Sequence, residues 1–248
     1  VSEPMSRHLV MYNGYAPPPR AAVVLLSGLD SVAAAHWAAE YFAPIVAVGF
    51  DYSQPGAEIA ASQAIAERRG WQWVRESIIG IGHRAPDAGR DKHGVSRANV
   101  PGRNGIFAWH AANIAARLFP GGRVTLVVGC NLDDAAGFPD CRGEFLAALS
   151  ATISMGLAGV VDIEVRAPWA LWLQDGSRKA DIIRWASSRP EALEDIRYAV
   201  SCYRGTRCGE CDACTLRDRA FEEAGVEDGD EAPPAVHGGD PVREPRAR

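Results

Sequence analysis

Apolar residues in this chain gather into short unbroken runs, separated by longer stretches in which they recur every three or four positions. Runs at 21–26 (AAVVLL), 45–50 (IVAVGF), 123–129 (RVTLVVG) and 161–165, with a shorter one at 71–74, predict β-strands. The first two lack polar alternation, which is what a strand buried on both faces requires, as in a parallel sheet. Helical spacing predicts helices over 31–42, 57–69, 102–118, 142–155, 179–187 and 215–224, the second stopped by Gly70. Strands and helices alternate, so the expected fold is α/β: a Rossmann-like parallel sheet with helices on both faces. Ligands of such sheets bind beyond the carboxyl ends of the strands, beside helix N-termini. The polar, irregular stretch 76–101 is long for a connector and predicts a functional loop or lid.

Composition refines the boundaries. Residues 1–20 carry a triple proline, Pro17 to Pro19, and read as a polar leader with at most one short strand at 8–12. Residues 227–248 are Pro, Gly and charge with almost no large apolar side chain, and predict a disordered tail. Between them lie a main domain over 21–200 and a cysteine-bearing segment with its helix over 201–226. The net charge of −5 and the absence of a basic stripe argue against a nucleic-acid binder. No apolar run reaches 18 residues and no secretion signal is visible, so a soluble cytoplasmic protein without a membrane partner is expected.

Cys202, Cys208, Cys211 and Cys214 form a C-x5-C-x2-C-x2-C string. A tetrahedral Zn²⁺ takes four thiolates at about 2.3 Å, and C-x2-C turns bring sulfurs together without strain. Four thiolates leave no open position, so the expected zinc is structural. A pair of disulfides is the alternative, and it suits a secreted protein rather than a reduced cytosol. The second local signal is Ser27-Gly28-Leu29-Asp30-Ser31, between the first strand and the first helix. A short Ser/Gly loop there offers N–H groups and hydroxyls at a positive helix end, which suits an anion such as pyrophosphate. Asp30 either holds Mg²⁺ or caps the helix. The loop is not a Walker loop, since no Gly-Lys-Ser/Thr follows.

Taken together these strings resemble the 7-cyano-7-deazaguanine synthase family, a branch of the PP-loop ATP pyrophosphatases with the adenine nucleotide alpha hydrolase-like fold. The family's S-G-G-x-D-S loop is similar to Ser27–Ser31, and its Y-G-Q-like string to Tyr52-Ser53-Gln54. V-P-x-R-N is matched by Val100-Pro101-Gly102-Arg103-Asn104. G-x-N-x-x-D-x-x-x-Y-P-D-C-R is matched by Gly129, Asn131, Asp134 and Phe138-Pro139-Asp140-Cys141-Arg142. S-C-Y, C-G-x-C-x-x-C, L-R and F-x-x-A-G-V-x-D are matched by Ser201 to Tyr203, Cys208 to Cys214, Leu216-Arg217 and Phe221 to Asp228. The loop is one glycine short of the family string, Val32 stands where a hydroxyl residue is usual, and the Cys202–Cys208 gap is shorter than usual.

The resemblance implies a ligase that adenylates 7-carboxy-7-deazaguanine with ATP and Mg²⁺ and passes it to ammonia, giving the 7-cyano base of queuosine and other deazapurines. It implies that Ser27, Gly28, Leu29, Asp30 and Ser31 hold pyrophosphate and Mg²⁺, that Tyr52 and Gln54 lie near the adenosine, and that the chain forms a homodimer. Arg103, Asn104, Asp140 and Arg142 are the candidates to hold the flat base and its carboxylate, against structural ion pairs or helix caps. Lys179 resembles a family lysine that neutralises phosphate; a solvated surface lysine is the alternative. Cys141 and Cys130 read as packed thiols, His36 and His110 as packing or surface residues, and His83 and His93 as loop residues within reach of substrate. Two further readings follow from the shortened loop. One is a diverged ligase that joins the acid to another amine, such as a peptide or protein N-terminus. The other is a non-catalytic binding protein that keeps the fold and the zinc.

Overall fold

The computed structural model describes residues 20–81, 89–170 and 176–229. The expected strand at 8–12, His83 and the tail beyond residue 229 lie outside the described residues. Five strands form one all-parallel sheet: β1 (Ala21–Leu25), β2 (Ile45–Asp51), β3 (Gln72–Ser77), β4 (Arg123–Val127) and β5 (Asp162–Arg166). Their order is β3-β2-β1-β4-β5, with Val23 opposite both Val46 and Leu126. The five predicted strands are thus the five observed ones.

Strand periodicity divides the core into two layers. Val23 and Leu25 share one face with Val46, Val48 and Leu126, beneath α3 (Arg103–Leu118) and α5 (Gly143–Gly156). Ala22 and Val24 point the other way, toward α1 (Leu29–Tyr41), α2 (Gly56–Arg68) and α6 (Lys179–Ser187). On that face the sheet residues are small. Gly49 leaves room for the Trp73 ring, which a Cβ at Gly49 would meet at 2.2 Å.

Two helices escape the sequence reading: the single turn α4 (Leu132–Ala135) and α7 (Pro190–Tyr198), together with a 3-10 turn at Pro139–Cys141. Helix α7 buries only Ala192, Asp195 and Ile196, too few apolar positions for a clear stripe. Asp195 is fully buried and satisfied by His36 (2.9 Å), Arg68 (3.1 Å) and Arg69 (2.6 Å), so an ion cluster ties α7 to α1 and α2. His36 is therefore a packing residue.

The described part of the chain closes on α8 (Asp212–Ala224), which packs on α6 and sends Ala220 and Phe221 into the core. Arg217 of α8 is buried and donates to the carbonyls of Ile196 (3.1 Å), Arg197 (3.0 Å) and Ala199 (2.8 Å). These are orphan acceptors at the end of α7, which a helix cannot satisfy internally. Asp228 balances the guanidinium through two bonds of 2.7 Å. Residues 227–229 are thus held against the domain, and order extends past the boundary expected at 227. Lysine at 217 keeps the charge but loses the planar fork. Arg217→Lys is expected to cost about 1–2 kcal/mol, seen as a lowered Tm in differential scanning calorimetry.

Candidate functional site

Strand order reverses between β1 and β4, and beyond their carboxyl ends lies a cleft of about 230 Å³. Its floor is the loop after β1. Ser31 Oγ accepts from the Ser27 N–H at 2.7 Å and donates to the Gly28 carbonyl at 2.8 Å, closing the loop on itself. The Ser27 hydroxyl donates to Glu58 of α2. Leu29 opens α1, so the free N–H groups of that first turn and the positive end of the helix dipole face the cleft. Leu29 N–H also makes a long bond (3.4 Å) to Ser201 Oγ, tying the loop to the cysteine segment.

The loop lies so close to the end of β4 that residue 129 must lack a side chain. A Cβ on Gly129 would sit 2.5 Å from the Ser31 nitrogen and 2.6 Å from its Cα. These are backbone atoms that cannot swing away. Gly129→Ala is expected to cost about 1–3 kcal/mol by overpacking, read as a lowered Tm in differential scanning calorimetry.

Asp30 stands at the centre of the anionic end. Its Oδ2 accepts from Lys179 Nζ at 2.5 Å, while its buried Oδ1 has no hydrogen-bond partner among the described residues. Lys179 also reaches Asp134 at 3.0 Å, and its own N–H is capped by Asp133 at 2.9 Å. Asn131 holds Asp134 in place (2.7 Å). Burial raises the Asp30 carboxyl, Lys179 pulls it back, and Asp134 and Asp133 raise it again, leaving it pushed up to about 6. Burial alone would lower the Lys179 ammonium, but Asp134 and Asp30 outweigh it and hold it above its ordinary value. The two shifts have one origin: Lys179 gains from both Asp134 and Asp30, whereas those two carboxylates share a single cation. Lys179 is thus buried in the site and is not a solvated surface residue.

The other end of the cleft is aromatic. Phe107 stacks on Phe50 (centroids 4.3 Å, 6° apart) and tilts against Tyr52 (5.3 Å). Arg103 donates to Tyr52 Oη at 2.8 Å and lies over both the Tyr52 and Phe107 rings. Burial opposes its charge, but Tyr52, Glu58 and Asp140 outweigh that and raise the guanidinium further. Asp140, buried in the 3-10 turn, accepts from the Asn104 N–H (3.0 Å) at the start of α3. The Asn104 amide reaches Cys141 Sγ (3.2 Å) and the Asp140 carbonyl (3.3 Å). Cys130 and Cys141 are buried thiols lining this end, as expected for packed residues.

Ser27 to Ser31, Lys179, Tyr52, Arg103, Asn104 and Asp140 therefore share one cleft. Gln54 does not line it. Its side chain accepts from Tyr52 N–H (2.8 Å) and donates to the Phe50 carbonyl (2.5 Å), shaping the turn that presents Tyr52. Ser53 in that turn sits at φ 74°, the left-handed region that favours glycine. Arg142 points to solvent and donates to the Ala135 carbonyl (3.3 Å), outside the cleft. His93 is exposed, and His110 faces Glu76 at 3.4 Å, away from the cleft lining. Glu58, Ser201 and Tyr203 line the cleft without having been singled out as site residues. Part of the 76–101 stretch also contributes, through Ala98, Asn99 and Val100.

Beside the cleft the four cysteine sulfurs lie within 4.8 Å of one another. Cys208–Cys214 and Cys202–Cys211 sulfurs are 3.9 and 4.0 Å apart. A tetrahedron with 2.3 Å bonds has edges of roughly 3.8 Å, close to these two separations, so the quartet could hold a metal ion. Backbone N–H groups of Glu210 and Cys211 pull the Cys208 thiol down to about 6, while burial raises the other three. A cation at the centre would offset that burial.

The profile of the family described as "Queuosine biosynthesis protein QueC" matches residues 21–225. Among curated proteins, the 7-cyano-7-deazaguanine synthase of Laribacter hongkongensis is 33% identical, over 85% of this chain and 93% of that protein. The protein of the same name from Acinetobacter baylyi is 34% identical, over 85% and 93%. That from Chromobacterium violaceum is 32% identical, over 86% and 93%.

Proposed function

The chain belongs to the QueC family of queuosine biosynthesis proteins, and from that premise we propose that it converts 7-carboxy-7-deazaguanine and ammonia, with ATP, into 7-cyano-7-deazaguanine. The observation that carries this reading is the meeting of two chemically different ends in one cleft. One offers helix N–H groups, Asp30 and Lys179, suited to a triphosphate with its cation. The other offers aromatic faces, Arg103 and Asp140, suited to a flat base bearing a carboxylate.

A carboxylate is a poor electrophile because hydroxide leaves poorly. Attack of its oxygen on the α-phosphorus of ATP expels pyrophosphate and gives an acyl adenylate. Ammonia then displaces AMP to give the amide. A second ATP activates the amide oxygen, and loss of AMP with a proton leaves the nitrile. This chain's residues contribute position and charge rather than a covalent nucleophile. The α1 N-terminus and Lys179 would face the transferring phosphates. Asp30, with its unpartnered Oδ1, is the residue placed to hold Mg²⁺, which would neutralise phosphate charge. Arg103 would pair with the carboxylate, and Asp140 would accept from the guanine-like edge.

The quartet would hold zinc as a structural ion, so elemental analysis of the purified protein should return one zinc per chain. The chain would assemble as a homodimer, a state that analytical ultracentrifugation reads directly. The test of function is incubation with Mg-ATP, ammonium and the acid, followed by mass spectrometry. Nitrile with AMP release supports the reading. An amide to a peptide amine in place of nitrile would transfer it to the diverged ligase. Absence of AMP release and of Mg-ATP binding would overturn it in favour of a non-catalytic protein.

A further inference from the structure

Resting on that reading, we propose that Tyr203 is a further catalytic residue, its hydroxyl donating a hydrogen bond to the oxygen that gains charge at the acyl carbon. Tyr203 follows Cys202 in the cysteine segment, packs against that cluster and also lines the cleft. Its N–H bonds to the Cys211 sulfur, and its neighbour Cys202 is part of the quartet. The side chain lines the cleft together with Asp134, Lys179 and Arg103. Tyr203 thus shares the cleft wall with Asp134 and Lys179 of the phosphate end and with Arg103 of the base end. The hydroxyl has no hydrogen-bond partner among the described residues.

That position has a chemical meaning. The substrate carboxyl is the link between a base at one end and an α-phosphate at the other, so the reacting carbon must lie where the two ends meet. The neighbouring side chains are already engaged: Lys179 by Asp30 and Asp134, Arg103 by Tyr52, Asn104 by Asp140 and Cys141. Tyr203 alone among these brings an uncommitted neutral donor. When ammonia adds, its nitrogen bonds to the acyl carbon and the carbonyl π pair moves to oxygen. That pair returns as the C–O bond to AMP breaks, and the nitrogen releases a proton to solvent. Tyr203 keeps its proton throughout. Its contribution is a bond that strengthens as the oxygen becomes anionic.

Tyr203→Phe keeps the ring, its packing and the backbone bond to Cys211, and removes one oxygen. Wild-type turnover of the acid with ammonium is measured first; its absence would remove the functional reading itself and so is distinguishable from failure here. With wild-type turnover in hand, the variant is expected to lose about 100-fold in kcat. KM for Mg-ATP and for the acid should stay within about threefold, and Tm and bound metal should be unchanged. Retained kcat overturns the proposal. So does a variant that loses metal or Tm in step with activity, because the hydroxyl would then be structural.

Discussion

Asp30→Asn is expected to make the protein more stable at neutral pH while abolishing most of its turnover. The carboxyl is pushed up to about 6 by burial and by the Asp134 and Asp133 charges, beyond what Lys179 returns. Its ordinary value is 3.8. The folded state therefore binds a proton more tightly than the unfolded chain between these values. Stability from this group is greatest below about pH 3.8, falls as pH rises toward 6, and is fully lost above it. At pH 7.5 the ionised group costs up to roughly 3 kcal/mol, at 1.36 kcal/mol per unit. Asparagine has nearly the same shape without the charge. Its Tm should exceed that of wild type at pH 7.5 by several degrees, and the two should converge near pH 4. On the proposed function, turnover should fall by about 100–1,000-fold, since charge complementarity to the phosphates and their cation would be lost. A lower Tm at pH 7.5 would refute the electrostatic account of the cluster.

The partner substitution should act on stability in the opposite sense. Lys179→Met leaves Asp30 and Asp134 facing one another without their cation, while Asp133 keeps Arg178. Removing one member of a buried ion cluster typically costs about 3–5 kcal/mol, because the remaining charges stay desolvated. For a chain of this size that lowers Tm by roughly 6–20 °C. Turnover should also collapse, and Mg²⁺ should restore part of the lost Tm by replacing the missing charge. The double variant, with Asp30→Asn added, should recover a further part, and a double-mutant cycle would measure the coupling directly. Simple additivity of the two Tm changes would mean that the two side chains do not share a site.

The difference between these two residues also shows what a linear sequence can reveal. The central strands were legible because a parallel sheet buries both faces, which writes itself as an unbroken apolar run; 21–25 is such a run, and 45–50 another broken only by Gly49. The edge strand β3 was read short, at 71–74, because Glu76 and Ser77 are polar and solvent reaches them. Helix α7 was missed because its buried face includes Asp195, although Pro190 at its first turn is a start signal. The loop and the cysteine quartet were legible because their ligands are local. Lys179 and Asp30 are 149 positions apart, and only the fold makes them a pair. Arg142 and Asp140 stood together in one string, yet the 3-10 turn sends the aspartate inward and the arginine to solvent. The arginine of the L-R string marks the resemblance in sequence and, in the fold, closes the end of α7.

That closure bears on how the protein is made. The carbonyls of Ile196, Arg197 and Ala199 wait for Arg217, and Arg217 waits for Asp228. Translation supplies these partners late. A ribosome that has made only the sheet and α7 carries a domain with an open helix end and a half-built cleft wall, since Ser201, Tyr203 and Leu216 also come late. Completion of the helix cap and completion of the binding site are therefore one event, timed by emergence of this stretch of chain from the exit tunnel. A message truncated before codon 217 would yield a product that lacks both the helix cap and part of the cleft wall.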